Sequence, residues 1–194
     1  MLKRAFDIVF SFLVIVLIIS WLYPIIALLI KLSSKGPVLF KQVRSGLNNE
    51  EFICFKFRSM AQNEEADSMQ ATKGDARITK IGSFLRKSSL DELPQFLNVL
   101  LGDMSVVGPR PHMLKHTEEY SALIGKYMVR QLVKPGITGV AQVKGYRGET
   151  KQLKDMEGRV REDVWYIENW SLALDINLIA LTVWNVIKGD EKAF

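Results

Sequence analysis

The strongest constraint on the fold is a hydrophobic run of 23 residues without a charge, from Ile8 to Ile30. As an α-helix this run is about 34 Å long, which is enough to cross the hydrocarbon core of a bilayer. A cleavable signal peptide would also begin with basic residues such as Lys3 and Arg4, but the run is too long for one. No small-x-small cleavage site follows it before Lys31. The sequence therefore predicts a membrane anchor over residues 1–35.

The charges and a proline leave two topologies open for this anchor. Lys3 and Arg4 precede the run and Lys31 follows it, so both ends satisfy the preference of cytoplasmic flanks for positive charge. Pro24 removes one backbone donor inside the run and pushes against the carbonyl four residues earlier, which predicts a kink. A helix that enters and leaves on one face fits both flanks, but a proline is also tolerated in a spanning helix. On these residues alone, both topologies stand.

Outside the apolar run the composition is that of a globular domain. Of the 194 residues, 48% are hydrophobic and 24% are charged, which excludes a disordered or collagen-like chain. The net charge of +5 suits an anionic membrane surface or phosphorylated substrates, and it is too diffuse to indicate nucleic acid. Cys54 is the only cysteine. No intramolecular disulfide can therefore form, and we expect the domain in a reducing compartment.

A second domain over residues 36–194 follows a cluster of Ser, Gly and Pro that ends the anchor. The hydrophobic periodicity and the turn residues predict strands at 38–43 and 51–58 and helices at 91–101, 115–133, 151–169 and 171–188. The polar stretch 61–77 is predicted to be a surface loop. The fold class is therefore α/β, mostly helical with a small β-hairpin. The last helix has a broad apolar face that packs on the core or lies at a membrane interface.

Two adjacent carboxylates, Asp91 and Glu92, are the first candidates for chemistry. Pro94 belongs in the first turn of the predicted helix, which places both carboxylates at its N-terminus. Ser89 and Glu92 have the S-x-x-E spacing of a capping box, so a purely structural role is one interpretation. The other is a phosphate site with Arg86 nearby. Adjacent side chains on a helix point about 100° apart, so one would be a nucleophile and the other a metal ligand or acid/base group.

Several cations could bind an anionic substrate. Arg110 lies between two prolines, and this rigid setting favours a bidentate grip on a phosphate or carboxylate. A turn in which Arg110 caps a carbonyl is the alternative. Lys56, Arg58 and Arg147 offer further anion contacts, with solvated surface charges as the alternative interpretation.

The sequence argues against several other classes of site. His112 and His116 are four residues apart, but Met113 stands where a zinc protease would have glutamate. With two histidines and one cysteine in the chain, a zinc site is not expected. A P-loop, a G-x-G-x-x-G fingerprint and a G-x-S-x-G elbow are all absent from the sequence.

Taken in order along the chain, these stretches resemble the monotopic phosphoglycosyl transferase family of bacterial sugar transferases. The resemblance covers nearly the whole chain, which makes chance a poor explanation. It also favours the functional interpretation of Asp91 and Glu92 over the capping box. The matching segments are Lys3-Arg4 with Asp7, GPVLFKQ at 36–42, KFRSM at 56–60, Arg86 with DEL at 91–93, GDMS at 102–105, GPRP at 108–111, KPGITG at 134–139, AQV at 141–143 and DVWY at 163–166.

The resemblance implies a ping-pong transfer of a hexose 1-phosphate from a UDP-sugar to undecaprenyl phosphate. Asp91 would attack the β-phosphorus, release UMP and hold the sugar phosphate as an aspartyl ester until the lipid phosphate accepts it. Mg²⁺ is implied, with Asp91 and Glu92 as its ligands, because a carboxylate approaches a diphosphate only after charge neutralisation. The implied substrate-binding residues are Arg86, Arg110, Lys56, Arg58, Arg147 and Asp163.

The resemblance also implies a re-entrant helix that bends at Pro24 and a catalytic domain on the cytoplasmic face of the bacterial inner membrane, with amphipathic helices at the interface. Two positions depart from the pattern. Tyr23 replaces the serine that many members carry before the proline, and Val140 replaces a tryptophan. Longer members prefix further membrane helices and a domain that resembles a nucleotide-binding fold, so we expect this chain to be the catalytic unit alone.

Three questions about partners stay open at this level. The segment 145–150 resembles initiators of the glucose or galactose type, which weakly favours those sugars. The apolar face of the last helix permits a homodimer. A membrane-anchored scaffold and a module that binds polyprenol phosphate without chemistry are the rival functions, and the intact Asp91, Glu92, Arg86 and Arg110 argue against the scaffold.

Overall fold

The computed structural model describes residues 1–61, 72, 74–146, 148 and 152–189. Within them the protein is mostly helical, as predicted, with two small pairs of strands. The α-helices are α1 (Leu2–Val14), α2 (Ser20–Ser33), α3 (Lys80–Lys87), α4 (Gln95–Leu101), α5 (Leu114–Leu123), α6 (Val140–Val143), α7 (Leu153–Glu168) and α8 (Leu172–Lys188). The strands are β1 (Leu39–Ser45), β2 (Glu51–Phe57), β3 (Ser105–Val107) and β4 (Gly136–Thr138).

The N-terminal helix runs from Leu2 to Ser33 and is long and apolar enough to cross a membrane. Its hydrogen bonding changes from α to π over Ile15–Ile19, between α1 and α2, and Pro24 lies within α2. A proline clashes with the carbonyl four residues before it, which is here the carbonyl of Ser20. The π-turn therefore directly precedes the position at which Pro24 disturbs the helix.

Two side chains donate to backbone carbonyls at this π-turn. The hydroxyl of Ser20 donates to the carbonyl of Val16 at 2.6 Å, and the indole N–H of Trp21 donates to the carbonyl of Leu17 at 2.8 Å. Tyr23, which stands where relatives were expected to have serine, instead packs its ring on Phe57 at a centroid distance of 5.5 Å. Side-chain hydrogen bonding near the proline is thus present, but other residues provide it.

The first turns of α1 bind the folded domain through polar contacts. Asp7 is buried and accepts hydrogen bonds from the hydroxyl of Ser105 and the backbone N–H of Val106, both at 3.0 Å. The guanidinium of Arg4 donates to the carbonyl of Leu100 at 3.0 Å, near the C-terminal end of α4. These contacts dock α1 on α4 and on β3.

The end of α2 contacts the same domain. Ile26 and Ile30 are buried in a cluster with Phe57 of β2 and Leu85 of α3. Both ends of the long helix therefore pack on one globular unit, although they are separated by the apolar run.

The β-hairpin is confirmed. Strands β1 and β2 pair antiparallel from Leu39 opposite Phe57 to Ser45 opposite Glu51. A 3-10 turn at Leu47–Asn49 connects them.

A parallel pair of short strands was not predicted. Strand β4 pairs in parallel with β3. The backbones here approach so closely that a Cβ on Gly136 would lie 2.1 Å from the backbone nitrogen of Gly108. Only glycine permits this contact. Because glycine is also typical of turns, the sequence around residue 136 does not reveal the strand pairing.

Two predicted helices were wrong in extent. The helix expected at 91–101 begins at Gln95, because Leu90–Glu92 forms a separate 3-10 turn and Pro94 is the N-cap. The helix expected at 115–133 ends at Leu123, and a 3-10 turn at Tyr127–Leu132 follows it. Helices α7 and α8 agree with the predicted 151–169 and 171–188 within two residues. Most of the loop predicted at 61–77 lies outside the described residues.

The main core packs α1 and the π-turn against α4, β3, α7 and α8. Its buried members include Val99, Met104, Val107, Tyr166 and Leu178. Apolar side chains nevertheless stay exposed along the long helix and on α8. On α8 the large ones are Ile176, Leu181, Val183, Trp184 and Ile187. Such contiguous apolar surface is typical of contact with a membrane or another protein.

Candidate active site

Asp91 and Glu92 lie on the 3-10 turn between α3 and α4. They are 8% and 6% exposed, and Ser89 before them adopts a left-handed backbone conformation with a φ of 58°. Ser89 makes no capping hydrogen bond, and the side chain of Glu92 reaches other partners. The capping-box interpretation is therefore wrong. Two carboxylates buried side by side need cations to offset the cost of their desolvation.

Two cations from distant parts of the chain bind Glu92. The ammonium of Lys56, on β2, donates to Oε1 at 2.8 Å. The guanidinium of Arg110, after β3, donates to Oε1 at 2.6 Å and to Oε2 at 3.3 Å. The bidentate contact is the geometry in which arginine binds a carboxylate most strongly. The interpretation of Arg110 as a turn cap is therefore wrong, because its guanidinium points to Glu92.

Electrostatics connect the two arginines with both carboxylates. Burial disfavours the cation of Arg110, but Glu92 and Asp91 outweigh that effect and raise its pKa. Burial lowers the pKa of Arg86, and the nearby carboxylates of Asp91 and Glu92 oppose this shift. Lys56, Arg86 and Arg110 therefore share one field with the two carboxylates. Three cations around two anions leave a net positive charge that attracts phosphate.

Two other predicted substrate-binding residues lie elsewhere. Arg58 is buried and donates to the backbone carbonyls of Ser34, at 2.8 Å, and Lys35. Its guanidinium therefore binds carbonyl groups at the C-terminal end of α2. Asp163 is buried on α7 and forms an ion pair with Arg130, whose Nε lies 2.7 Å from Oδ2. Arg147 lies outside the described residues. Neither Arg58 nor Asp163 joins the cluster around Glu92, because buried carbonyls and a buried arginine bind them instead.

Sequence reasoning missed a network behind Arg110. Arg130 donates to the backbone carbonyl of Arg110 at 2.8 Å and to Nδ1 of His112 at 3.0 Å. The hydroxyl of Tyr127 is 2.6 Å from the same nitrogen, and Arg159 lies 3.3 Å from Nε2. Arg130 pairs with Asp163 across 33 residues of chain. No local pattern could reveal this pairing.

His112 belongs to this network. Burial, together with the charges of Arg130 and Arg159, lowers the pKa of His112 well below its usual value, so the ring is neutral. Its ring stands edge-on to that of His116 at a centroid distance of 6.4 Å. Among the described residues, His, Cys, Asp and Glu form no group of three that could hold a metal.

The comparisons with known proteins identify the family of this chain. The family model described as bacterial sugar transferase matches residues 1–189, and the chain belongs to that family. It is 54% identical over 182 residues to the UDP-glucose:undecaprenyl-phosphate glucose-1-phosphate transferase of Klebsiella pneumoniae, and 54% identical over 184 residues to the protein of that name in Escherichia coli (strain K12). It is 46% identical over 187 residues to the exopolysaccharide production protein PSS of Rhizobium leguminosarum bv. phaseoli.

The relatives differ in how much of their length the chain covers. The matches take in 93% and 94% of this chain but 39% of the length of the Klebsiella and Escherichia proteins. For the Rhizobium protein they take in 94% of this chain and 93% of the relative. The resemblance to the phosphoglycosyl transferases is thus confirmed, and the shared region is the part that carries Asp91 and Glu92.

Proposed function

We propose that the protein transfers a sugar 1-phosphate from a UDP-sugar to undecaprenyl phosphate and releases UMP, as an early membrane step of exopolysaccharide assembly. Membership of the bacterial sugar transferase family supports the reaction class, and the names of relatives support both substrates. The observation that carries the proposal is the pair of buried carboxylates, Asp91 and Glu92, inside a cluster of Lys56, Arg86 and Arg110.

In the proposed first half-reaction, a carboxylate oxygen of Asp91 attacks the β-phosphorus of the UDP-sugar. A bond forms between that oxygen and phosphorus, and the bond to the bridging oxygen breaks, so UMP leaves with the electron pair. In the second half-reaction a lipid phosphate oxygen attacks the same phosphorus and regenerates the carboxylate. Arg86 and Arg110 oppose the negative charge that otherwise keeps a carboxylate away from a diphosphate.

Glu92 has a different role, because its two oxygens bind cations. Lys56 and Arg110 contact it from two directions, so this carboxylate orients both cations toward the space next to Asp91. We propose that Glu92 acts mainly by orienting the two cations.

The implied magnesium ion fits the donor set in part. Mg²⁺ in phosphoryl-transfer sites binds one or two carboxylates together with substrate phosphates. Glu92 already carries Lys56 and Arg110, which makes Asp91 the better ligand in the described structure. When bound, Mg²⁺ would neutralise diphosphate charge. We propose that Asp91 and the diphosphate hold it, and a titration of UDP-sugar binding with Mg²⁺ in wild type and Glu92→Gln tests this. The same Mg²⁺ dependence of UDP-sugar binding in both proteins supports this assignment. Loss of the Mg²⁺ dependence in Glu92→Gln contradicts it.

We also propose that the long helix is re-entrant, with a bend at the π-turn and Pro24, and that the domain lies on the cytoplasmic face of the inner membrane. Both ends of the helix pack on the same domain, through Asp7 and Arg4 at one end and Ile30 at the other. A spanning helix would carry these ends to opposite sides of the bilayer. The positive flanks favour the cytoplasmic side.

Cysteine labelling tests this topology. In a Cys54→Ser background, Leu2→Cys and Lys35→Cys place single thiols at exposed positions at the two ends of the helix. We expect both to react with a membrane-impermeant reagent in inside-out vesicles and neither in right-side-out cells. Labels on opposite faces would show that the helix spans the bilayer.

UMP release across a panel of UDP-sugars tests the reaction and separates the enzyme from a scaffold or a lipid-binding module. UDP-glucose is the first candidate, in line with the names of the relatives. Half of the segment 145–150, which weakly favoured glucose or galactose, lies outside the described residues. A homodimer through the apolar face of α8 stays a prediction.

Mass spectrometry tests the covalent step. After incubation with UDP-sugar alone, we expect a sugar-phosphate adduct on Asp91, and Asp91→Asn should abolish both the adduct and turnover, since an amide is a poor nucleophile. Asp155→Asn is the matched control, because Asp155 caps α7 away from the cluster. UMP release that requires both substrates at once would contradict the ping-pong mechanism.

A further inference from the structure

Both the side chain and the backbone of Arg110 are fixed by hydrogen bonds. Its guanidinium binds Glu92, and its backbone carbonyl accepts a hydrogen bond from Arg130 at 2.8 Å. The carbonyl of the preceding Pro109 accepts another from the backbone N–H of Gly136 at 2.8 Å. Because the flanking prolines restrict the backbone dihedrals, the backbone fixes the point from which the Arg110 side chain reaches Glu92.

The guanidinium of Arg130 is itself fully engaged. Its Nε donates to Asp163 at 2.7 Å, one terminal nitrogen donates to Arg110 and the other to His112. The side chains of Arg130 and Asp163 are 3% and 2% exposed. A planar group with donors on each edge has one orientation in such a site, so it holds the Arg110 carbonyl at a defined position.

Stability alone does not explain this ion pair. Taking an arginine and an aspartate out of water costs several kcal/mol per ion, and apolar residues of similar volume often replace such pairs without loss. The specific feature here is the third contact, which reaches the backbone of a residue in the active-site cluster.

We propose that Arg130 and Asp163 are positioning residues that act through the backbone of Arg110 and aim its guanidinium at the phosphate-binding cluster. The inference rests on the proposed function in one respect, namely that turnover is its main readout. A displacement of about 1 Å at a reacting centre can lower a rate about a hundredfold, so a small shift of this backbone is enough to matter.

Arg130→Lys is the informative variant. Lysine keeps a cation beside Asp163, but a single ammonium group cannot contact Asp163, the Arg110 carbonyl and His112 together. The matched control is Arg159→Lys. Arg159 is also a buried arginine in hydrogen-bond contact with His112, but its other hydrogen bonds go to the carbonyls of Tyr146 and Gly148.

We expect Arg130→Lys to lower kcat about tenfold or more with a smaller change in KM, because the backbone shift misplaces Arg110. Arg159→Lys should have the smaller effect on kcat. Circular dichroism and thermal unfolding of both variants check that they fold.

A double-mutant cycle with Arg110→Lys separates positioning from general structural support. If Arg130 acts through Arg110, Arg130→Lys should cost less than about twofold in the Arg110→Lys background, while the cost of Arg159→Lys stays the same in both backgrounds. Multiplicative losses for Arg130→Lys and Arg110→Lys would overturn the inference, since they would show independent effects.

A readout without turnover keeps this inference separate from the proposed function. Should the wild type release no UMP from any UDP-sugar, the proposed function fails, and NMR of the Arg110 Nε–Hε group then decides the inference. A lower order parameter in Arg130→Lys but not in Arg159→Lys supports positioning. An unchanged Arg110 signal in Arg130→Lys overturns it.

Discussion

The ammonium group of Lys3 lies 2.7 Å from the carboxylate of Asp175, which joins the first turn of α1 to the first turn of α8. Asp175 is fully buried and also accepts hydrogen bonds from the hydroxyl of Tyr166 at 2.7 Å and the indole of Trp170 at 3.1 Å. The Lys3 ammonium lies about 6 Å from both rings. Two helices that each expose large apolar side chains, α1 and α8, are therefore coupled at one buried carboxylate.

The burial of Asp175 predicts that the ion pair of Lys3 with Asp175 stabilises the protein more than the exposed ion pair of Lys144 with Glu162. Lys3→Met should lower the free energy of unfolding by about 1–3 kcal/mol, because it leaves the buried Asp175 without its cation. Lys144→Met is the control, since the Lys144 side chain is 53% exposed in its pair with Glu162 and should cost less than about 1 kcal/mol. Unfolding in lipid nanodiscs measures both, and equal losses would contradict the prediction.

The π-turn yields a second prediction. Ser20→Ala and Trp21→Phe each remove a donor from a backbone carbonyl in an apolar stretch where water cannot replace it, so each should cost about 1–2 kcal/mol in a bilayer. Ser33→Ala removes a similar bond to the carbonyl of Ile30 at the end of α2, where the serine is exposed and water can substitute. In thermal inactivation in nanodiscs, Ser33→Ala should lose the least stability of the three variants. The reverse order would show that the hydrogen bonds of Ser20 and Trp21 do not stabilise the π-turn.

A third prediction concerns Glu92. Glu92→Gln should leave folding intact and lower the rate about a hundredfold or more, because an uncharged amide cannot keep both Lys56 and Arg110 in place. Glu162→Gln is the matched control, since Glu162 binds Lys144 outside the cluster. Steady-state UMP release provides the comparison, and a Glu92→Gln variant with wild-type kinetics would show that the cations need no carboxylate to orient them.

A fourth prediction follows from His112. Burial, with Arg130 and Arg159, lowers its pKa in the folded protein, while in the unfolded chain its pKa is about 6.5. Its contribution to stability is complete above that value. As the pH falls below it, the unfolded chain binds a proton that the folded protein refuses, so the free energy of unfolding decreases.

The measurement is unfolding between pH 7.5 and pH 5.5, where His112 contributes at most about 1.4 kcal/mol per pH unit below its unfolded pKa. His116 acts in the same direction, because burial lowers its pKa as well. His112→Gln should flatten the profile more than His116→Gln does. Stability that stays constant or rises toward pH 5.5 would contradict a neutral, buried His112.

Local signals in the sequence were sufficient for several elements. The uncharged run predicted one long apolar helix, and two strand-like segments on either side of a turn at 45–49 predicted the hairpin with nearly its observed bounds. Helices α7 and α8 were also recognised, because their periodicity continues over 16 and 17 residues. In each case the determining interaction is between residues close in sequence, so a one-dimensional pattern contains it.

By itself, then, the sequence determined the apolar helix, the hairpin, the family and the residues from which the candidate site is made. The tertiary structure alone decided their partners. Glu92 binds Lys56 and Arg110, which are 36 and 18 residues away. Asp163 instead forms an ion pair with Arg130, and Arg58 donates to a carbonyl at the end of α2. The physical reason is that a buried charge needs a counter-charge or carbonyl in three dimensions, and which group meets it depends on the packing of distant elements.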